Sequence, residues 1–280
     1  MITSIHFLLT YNCNFECDHC FLYCGPKMKG TFTIAQLKTA MDEIQEVPSI
    51  KMVYFEGGEP FLYYPLMLEG IRIARSGGLD AGVVTNAYWA TSEEDAKLWL
   101  ESLLQLGVSN ISVSDDAFHY GSVKNNKARN AIAALELLEG PVCVLNTESG
   151  DVMLKGRAVE KLAEDYPKRH WKELIECPHE DLENPNRVHL DAFGNIHLCQ
   201  GLCMGNAWNA PLSEIIKNYD PDSNPIVKSL LKGGPAGLAM EYKVNHEEFY
   251  ASECHLCYEV RKSLIDKFPE YLAPEQVYGL

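Results

Sequence analysis

Residues 5–20 read IHFLLTYNCNFECDHC, an apolar run that leads directly into three cysteines. The run predicts a short buried strand, and Cys13, Cys17 and Cys20 follow within one eight-residue loop. Three thiolates at this spacing suit three corners of an iron–sulfur cube, because thiolates are the ligands that such clusters use. Three ligands leave one iron open to a small molecule. Zinc is the alternative, although structural zinc sites more often pair two CxxC-like knuckles.

A second motif, YFEGGEP at residues 54–60, stands at the end of the next predicted strand, Lys51 to Phe55. Together the two motifs resemble those of the radical S-adenosylmethionine (SAM) superfamily, in which a CxxxCxxC loop follows the first strand and a GGE motif follows the second. The resemblance implies that Cys13, Cys17 and Cys20 hold a [4Fe–4S] cluster whose open iron is chelated by SAM. It also implies that one electron cleaves SAM to a 5′-deoxyadenosyl radical, which abstracts hydrogen from the substrate.

The resemblance also suggests where SAM would lie. Gly57, Gly58 and Glu59 would hold its methionine end, with the glycines allowing close backbone approach and the carboxylate binding the ammonium. Further cofactor-binding candidates stand beside the motifs or at the ends of later strands: His19, Glu56, Thr85, Asn86, Ser112 and Ser114. Asp116 and His119 are the candidate catalytic residues. The alternative for the strand-end residues is a solvated strand end, and for His119 a loop cap.

Repeated strand–helix units run through the first two-thirds of the chain, with helix N-caps predicted at Thr33 and Ser92. Five or six units, the sixth strand being expected near 171–175, fall short of the eight in a closed barrel. We therefore predict an α/β fold, a partial (β/α)6 TIM-like barrel over residues 1–176. Its site should lie at the carboxyl ends of the strands, where both motifs and the later polar residues fall.

The pattern changes from Cys177 onward. Residues 187–191 and 195–198 flank a Gly-Asn turn, which predicts a β-hairpin. With the hairpin and a following helix, Cys177, Cys199, Cys254 and Cys257 resemble the twitch type of auxiliary-cluster domain, a shortened SPASM domain, over residues 177–280. The resemblance implies a second [4Fe–4S] cluster; zinc on the same cysteines is the alternative.

Three further cysteines have no place in these two groups. Cys203 could replace Cys199 as a ligand, be a redox neighbour or have no role, although the hairpin end favours Cys199. Cys24 is interpreted as a non-ligand. Cys143 lies in an apolar strand and is expected to be buried by packing.

Composition narrows the class of partner. The chain has 280 residues and a net charge of −15, which repels phosphate backbones and anionic lipid, so we expect neither nucleic acid nor a membrane as a partner. Without a signal-like segment or a bilayer-length apolar run, we expect a cytoplasmic protein. A strongly anionic substrate would need local basic residues such as Lys124, Lys127 or Arg129.

The function expected from these features is that of a radical SAM oxidoreductase. Its auxiliary cluster would accept an electron from the substrate radical, and a flavodoxin or ferredoxin would be the reducing partner. Because the first strand begins near the N-terminus, we expect a small-molecule substrate, or a peptide delivered by a separate partner. Peptide maturation and protein activation are the alternatives within enzymes. A non-catalytic zinc or iron sensor is the alternative outside them.

Overall fold

The computed structural model describes residues 1–121, 124, 126–148, 150 and 152–280. Within these residues the main sheet has eight strands in the order β5-β4-β3-β2-β1-β7-β8-β9. Its strands are β1 Ser4–Thr10, β2 Met52–Gly57, β3 Asp80–Thr85, β4 Asn110–Ser114, β5 Val142–Leu145, β7 Arg187–Asp191, β8 Asn195–Cys199 and β9 Leu202–Asn206. The helices are α1 Ile34–Gln45, α2 Tyr64–Ser76, α3 Glu93–Gln105, α4 Ala117–Tyr120, α5 Lys127–Leu137, α6 Arg157–Leu162, α7 Leu212–Lys217, α8 Pro225–Tyr242 and α9 Glu253–Ser263.

The strands β1 to β5 and β7 run parallel, whereas β8 and β9 are antiparallel additions at one edge. This arrangement confirms the predicted α/β class with a largely parallel sheet. Thr33 caps α1 with a full capping box, and Ser92 caps α3 by accepting from the Asp95 backbone N–H, as the sequence predicts. No helix in the described parts of the chain is long and apolar enough to cross a bilayer.

The sixth parallel strand is β7, which pairs with β1 from Ser4–Arg187 to Leu8–Asp191. The prediction of this strand near 171–175 was wrong. There, a 3₁₀ turn at Trp171–Glu173 follows β6, Arg169–His170, which pairs with β10, Phe249–Tyr250, in a separate small ribbon. The predicted hairpin is present as β7 and β8, and it extends the main sheet. The sheet therefore crosses residue 176, and a functional division at that residue stays a prediction.

The two faces of the sheet differ in polarity. On one face, Ile5, Phe7 and Phe55 are fully buried in the main hydrophobic core, with Phe7 and Phe55 stacked at 5.5 Å. Because side chains alternate along a strand, the opposite, inner face carries His6 and Glu56. Cys143 is exposed, so the prediction that packing buries it was wrong: β5 is the edge strand and pairs with β4 alone among the described strands.

Candidate active site

A cavity of about 300 Å³ lies where the main strands end. It brings together residues that the sequence analysis selected from four separate segments. Those that line it are Cys13, Cys17, His19, Cys20, Glu56, Gly57, Gly58, Thr85, Asn86, Ser114, Asp116 and His119. Two of the residues selected as SAM-binding candidates do not line it. Ser112 donates to Asn110 Oδ1 at 2.8 Å, and Glu59 is wholly buried.

The two glycines of the GGE motif hold the end of β2 against the chain that leads into Cys13. The Gly58 N–H donates to the Thr10 carbonyl at 2.7 Å, and the Glu59 N–H donates to the Asn12 carbonyl at 3.0 Å. A Cβ on Gly57, where φ is +123°, would lie 2.4 Å from the Thr10 oxygen, and a Cβ on Gly58 would lie 2.1 Å from the Asn12 oxygen. Neither Gly57 nor Gly58 has room for a side chain, so the backbone packing alone requires glycine at both positions.

Glu59 has partners other than the SAM ammonium assigned to it from the resemblance. Its carboxylate accepts from the Phe61 N–H at 3.0 Å, the Thr85 hydroxyl at 2.8 Å and the Asn86 N–H at 2.7 Å. Burial raises the pKa of Glu59 to about 7, against the lowering effect of these hydrogen bonds. Glu59 thus fixes the end of β3. From there Asn86 Nδ2 reaches Asn14 Oδ1 at 3.0 Å and Cys13 Sγ at 3.7 Å.

The rings of His19 and His119 meet beside Asp116 on one side of the cavity. Asp116 caps α4, accepting from the His119 N–H at 3.0 Å, and its Oδ1 lies 2.8 Å from His119 Nδ1. Burial works against ionisation of Asp116, but the contacts with His119 lower its pKa overall. His19 stacks on Phe118 at 4.5 Å and meets His119 edge-on at 5.0 Å. Burial lowers the pKa of His19 to about 4, so the ring is neutral near pH 7.

Arg157, which the sequence analysis missed, fastens the first cysteine loop. The Arg157 backbone N–H donates to the Cys20 carbonyl at 2.9 Å, and its guanidinium donates to the carbonyls of Cys17 at 3.0 Å and Cys24 at 2.6 Å. The Cys24 N–H in turn lies 3.3 Å from Cys20 Sγ. The only sequence signal for Arg157 was a basic residue near a predicted helix start, which does not distinguish it from a surface arginine.

The second cysteine group also converges. Burial raises the pKa of Cys254 to about 12 against the lowering effect of Lys155, and the nearby Cys199, Cys257 and Cys177 raise it further. Cys203 is separate from this group. It is fully buried, with its sulfur 3.4 Å from the Ala273 carbonyl and 3.6 Å from His197 Nδ1.

The spacing of the sulfurs bears on which metal group they suit. A single tetrahedral zinc ion with bonds near 2.3 Å places its sulfurs about 3.8 Å apart. Among the described residues, no three cysteine sulfurs lie within 4.8 Å of one another. A four-iron cube holds its thiolates at separate corners and therefore farther apart. In each cysteine group, at least one pair of sulfurs is therefore more than 4.8 Å apart, which is wider than a lone zinc ion sets them and leaves room for a cube.

Comparison with known proteins agrees with this geometry. Residues 7–139 match the family described as the Radical SAM superfamily. This region of the chain, which carries the first cysteine loop and the GGE motif, is a radical SAM domain. The cofactors of this domain are accordingly a [4Fe–4S] cluster and SAM.

Two curated relatives and one solved structure are similar to this chain over part of its length. The putative peptide biosynthesis protein YydG of Bacillus subtilis (strain 168) is 24% identical over 124 residues, 44% of this chain and 39% of YydG. The tungsten-containing aldehyde ferredoxin oxidoreductase cofactor-modifying protein of Pyrococcus furiosus is 29% identical over 109 residues, 39% of this chain and 29% of that protein. The matches thus span well under half the length of either relative.

The crystal structure of BtrN in complex with AdoMet and 2-DOIA is similar in fold, with a TM-score of 0.58 at 20% identity. The similarity covers 83% of this chain and 87% of BtrN. It therefore extends well beyond residues 7–139 and includes part of the region that holds the second cysteine group.

Proposed function

We propose that this chain is a radical SAM oxidoreductase in which Cys177, Cys199, Cys254 and Cys257 hold an auxiliary [4Fe–4S] cluster. When bound, the two clusters and SAM supply a 5′-deoxyadenosyl radical for hydrogen abstraction and an acceptor for one substrate electron. The net change in the substrate is a two-electron oxidation. On this proposal, residues 1–176 supply the radical site and residues 177–280 supply the auxiliary site.

Two buried cations carry the argument for the auxiliary cluster. Lys155 and Arg261 are each 1% exposed, and neither has a carboxylate within 4.0 Å in the described part of the chain. Lys155 Nζ lies 3.4 Å from Cys199 Sγ, and the Arg261 guanidinium donates to the carbonyls of Gln200 at 3.1 Å and Cys257 at 3.4 Å. A buried cation without a counter-charge costs several kcal/mol. A cluster on four thiolates would provide that counter-charge.

Zinc on four thiolates would provide the same charge, so charge alone does not select the cluster. The sulfur spacing described above supports the cube. Burial raises the pKa of the Cys199 thiol, but Lys155 and Arg261 outweigh it, and the pKa falls below its usual value. This favours the thiolate that either metal group requires.

At the first site, the residues of this chain would bind the first cluster and SAM and would position the substrate. Cys13, Cys17 and Cys20 would hold the SAM-binding cluster, and Arg157 holds the loop that carries them. The cavity walls offered by His19, Gly57, Gly58, Thr85, Asn86 and Ser114 would receive SAM. Asp116 and His119 stand at the wall of the same cavity, where they would face the substrate. A flavodoxin or ferredoxin would deliver the electron.

Peptide modification is the second candidate, because YydG is named as a putative peptide biosynthesis protein. The same site chemistry would serve it, and the two candidates differ in the molecule that enters the cavity.

The test is anaerobic reconstitution followed by iron and sulfide analysis and a dithionite-driven assay of SAM cleavage. We expect about eight irons per chain, the content of two four-iron clusters. Cys17→Ala should abolish SAM cleavage, whereas Cys254→Ala should remove about half of the iron and leave cleavage. About four irons in the unaltered protein, or tightly bound zinc in the second group, would contradict the oxidoreductase proposal.

A further inference from the structure

A carboxylate is held between two imidazoles on the inner face of the sheet. Glu56 Oε2 lies 3.1 Å from His6 Nδ1, and Glu56 Oε1 lies 3.1 Å from His189 Nε2. The three residues stand on β2, β1 and β7, which are neighbours in the sheet, so the strand register fixes their positions. Tyr54 stacks on the His6 ring at 4.6 Å and limits its rotation. Neither histidine was selected from the sequence.

The two histidines keep Glu56 ionised. Burial opposes ionisation, but hydrogen bonds from His189 and His6 hold the pKa of Glu56 well below its usual value. Burial lowers the pKa of His189, so this ring is neutral and its hydrogen bond assigns the proton to Nε2. Each carboxylate oxygen therefore accepts one hydrogen bond and retains a free lone pair. The Glu56 side chain is 17% exposed and lines the cavity.

The described residues that line the cavity include no positive side chain opposite Glu56. Among the described residues that line it, Glu56 and Asp116 are the acidic side chains, and none is a lysine or an arginine. Asp116 is already paired with His119. The basic residues considered for an anionic substrate, Lys124, Lys127 and Arg129, do not line the cavity, and Arg129 pairs with Asp115. Glu56 is thus the acidic side chain of the lining whose partners, His6 and His189, do not themselves line the cavity.

We propose that Glu56 is a substrate anchor that accepts a hydrogen bond from an ammonium group, with His6 and His189 as its positioning residues. The substrate class is then an amine-bearing organic molecule, and phosphate esters and carboxylates are rejected because Glu56 repels them. The assignment rests on the proposed function only in taking this cavity as the place where substrate binds.

A divalent metal is the competing occupant, since one ligand atom from each of the three residues lies within 4.8 Å of the others. A metal-bound histidine almost always donates its second ring N–H to an acceptor. His189 Nδ1 is buried and has no hydrogen-bond partner among the described residues, so a metal on Nε2 would leave an N–H there with no acceptor. With the proton on Nε2 instead, Nδ1 is an acceptor with a lone pair. Leaving this acceptor without a donor costs less free energy than leaving a buried N–H without an acceptor.

The experiment uses two probes of matched shape, cyclohexylammonium and cyclohexanecarboxylate, titrated into SAM-loaded holoenzyme by calorimetry. We expect the ammonium to bind at least about tenfold more tightly than the carboxylate, and Glu56→Gln to remove that preference, because a charge-assisted hydrogen bond is lost. His189→Gln should weaken ammonium binding to a smaller extent. Glu248→Gln is the matched control: this exposed glutamate lies 3.8 Å from His170 and should change nothing.

Several results would overturn the assignment. The first is equal binding of the two probes, and the second is an unchanged preference for the ammonium in Glu56→Gln. The third is a loss of SAM affinity in Glu56→Gln that is as large as the loss of cyclohexylammonium affinity. A stoichiometric divalent ion that His189→Gln removes would assign the site to a metal instead. The same titration in Cys254→Ala separates this proposal from the auxiliary cluster, because ammonium selectivity should persist there even if the second cluster is absent.

Discussion

Replacing Gly58 with alanine should separate β2 from the chain that carries the first cysteine. The added Cβ would lie 2.1 Å from the Asn12 carbonyl oxygen, whereas Cβ atoms essentially never approach within 3.0 Å of a non-bonded heavy atom. The atom that it meets is backbone, so no side chain can rotate away. β2 and the segment that leads into Cys13 must therefore move apart by about 1 Å, and packed interiors resist displacements of this size.

The cost follows from the contacts that the displacement breaks. The hydrogen bonds from Gly58 to Thr10, 2.7 Å, and from Glu59 to Asn12, 3.0 Å, are each worth about 1 kcal/mol net. Overpacking adds about 1–3 kcal/mol. We therefore expect Gly58→Ala to lower the free energy of unfolding by about 3–5 kcal/mol. Because Cys13 follows Asn12 directly, the variant should also lose iron from the first cluster.

The assay is anaerobic urea denaturation of the reconstituted protein, with iron measured after gel filtration. Gly78→Ala is the control: φ there is +78°, yet a Cβ would meet nothing within 4 Å. Left-handed backbone alone costs alanine about 1–2 kcal/mol, and the control should keep its full iron. The reasoning would be refuted if Gly58→Ala kept its iron and matched Gly78→Ala in stability.

Three further predictions concern buried charge and ligand choice. Lys155→Met removes a positive charge beside the second cysteine group, so it should shift the reduction potential of the second cluster to more negative values in an EPR titration. Lys155→Arg should restore part of the shift. An unchanged potential would mean that the ammonium does not act on the cluster. Cys199→Ser should remove about four irons while Cys203→Ser keeps them, and the reverse result would exchange their roles. Because the pKa of Glu59 is raised to about 7, its contribution to stability is present below the usual carboxyl pKa near 4 and is lost as pH rises through 7. The urea midpoint should therefore fall between pH 5.5 and 8, and Glu59→Gln should flatten that fall.

The parts of the site that lie close together in sequence could be predicted. Three cysteines in one loop and two adjacent glycines after a strand are local patterns, and the structure places both at one cavity. The hairpin at β7 and β8 is local as well, since its turn signal lies between its strands. In each case the chemistry of a few neighbouring residues determines the conformation, and no distant partner has to be known.

The sixth parallel strand could not be placed in this way. β7 joins the sheet because its apolar residues Val188 and Leu190 match the register of β1, whose residues lie more than 180 positions earlier in the chain. Its sequence, RVHLD, is equally typical of a hairpin strand in a separate domain. Similarly, Cys143 has the apolar neighbours of a buried strand, and only its place at the sheet edge exposes it.

The segment 154–157 shows why contacts between distant residues decide the remainder of the site. In sequence it reads LKGR, with no motif and two ordinary basic residues. In the fold, Lys155 reaches Cys199 of the second group while Arg157 holds the carbonyls of Cys17 and Cys24 beside the first. Gly156 lies between them at φ +63°, where a Cβ would come within 2.5 Å of the Phe21 carbonyl oxygen. A four-residue stretch thus ties the two cysteine groups together, and its role becomes visible only when both groups are in place.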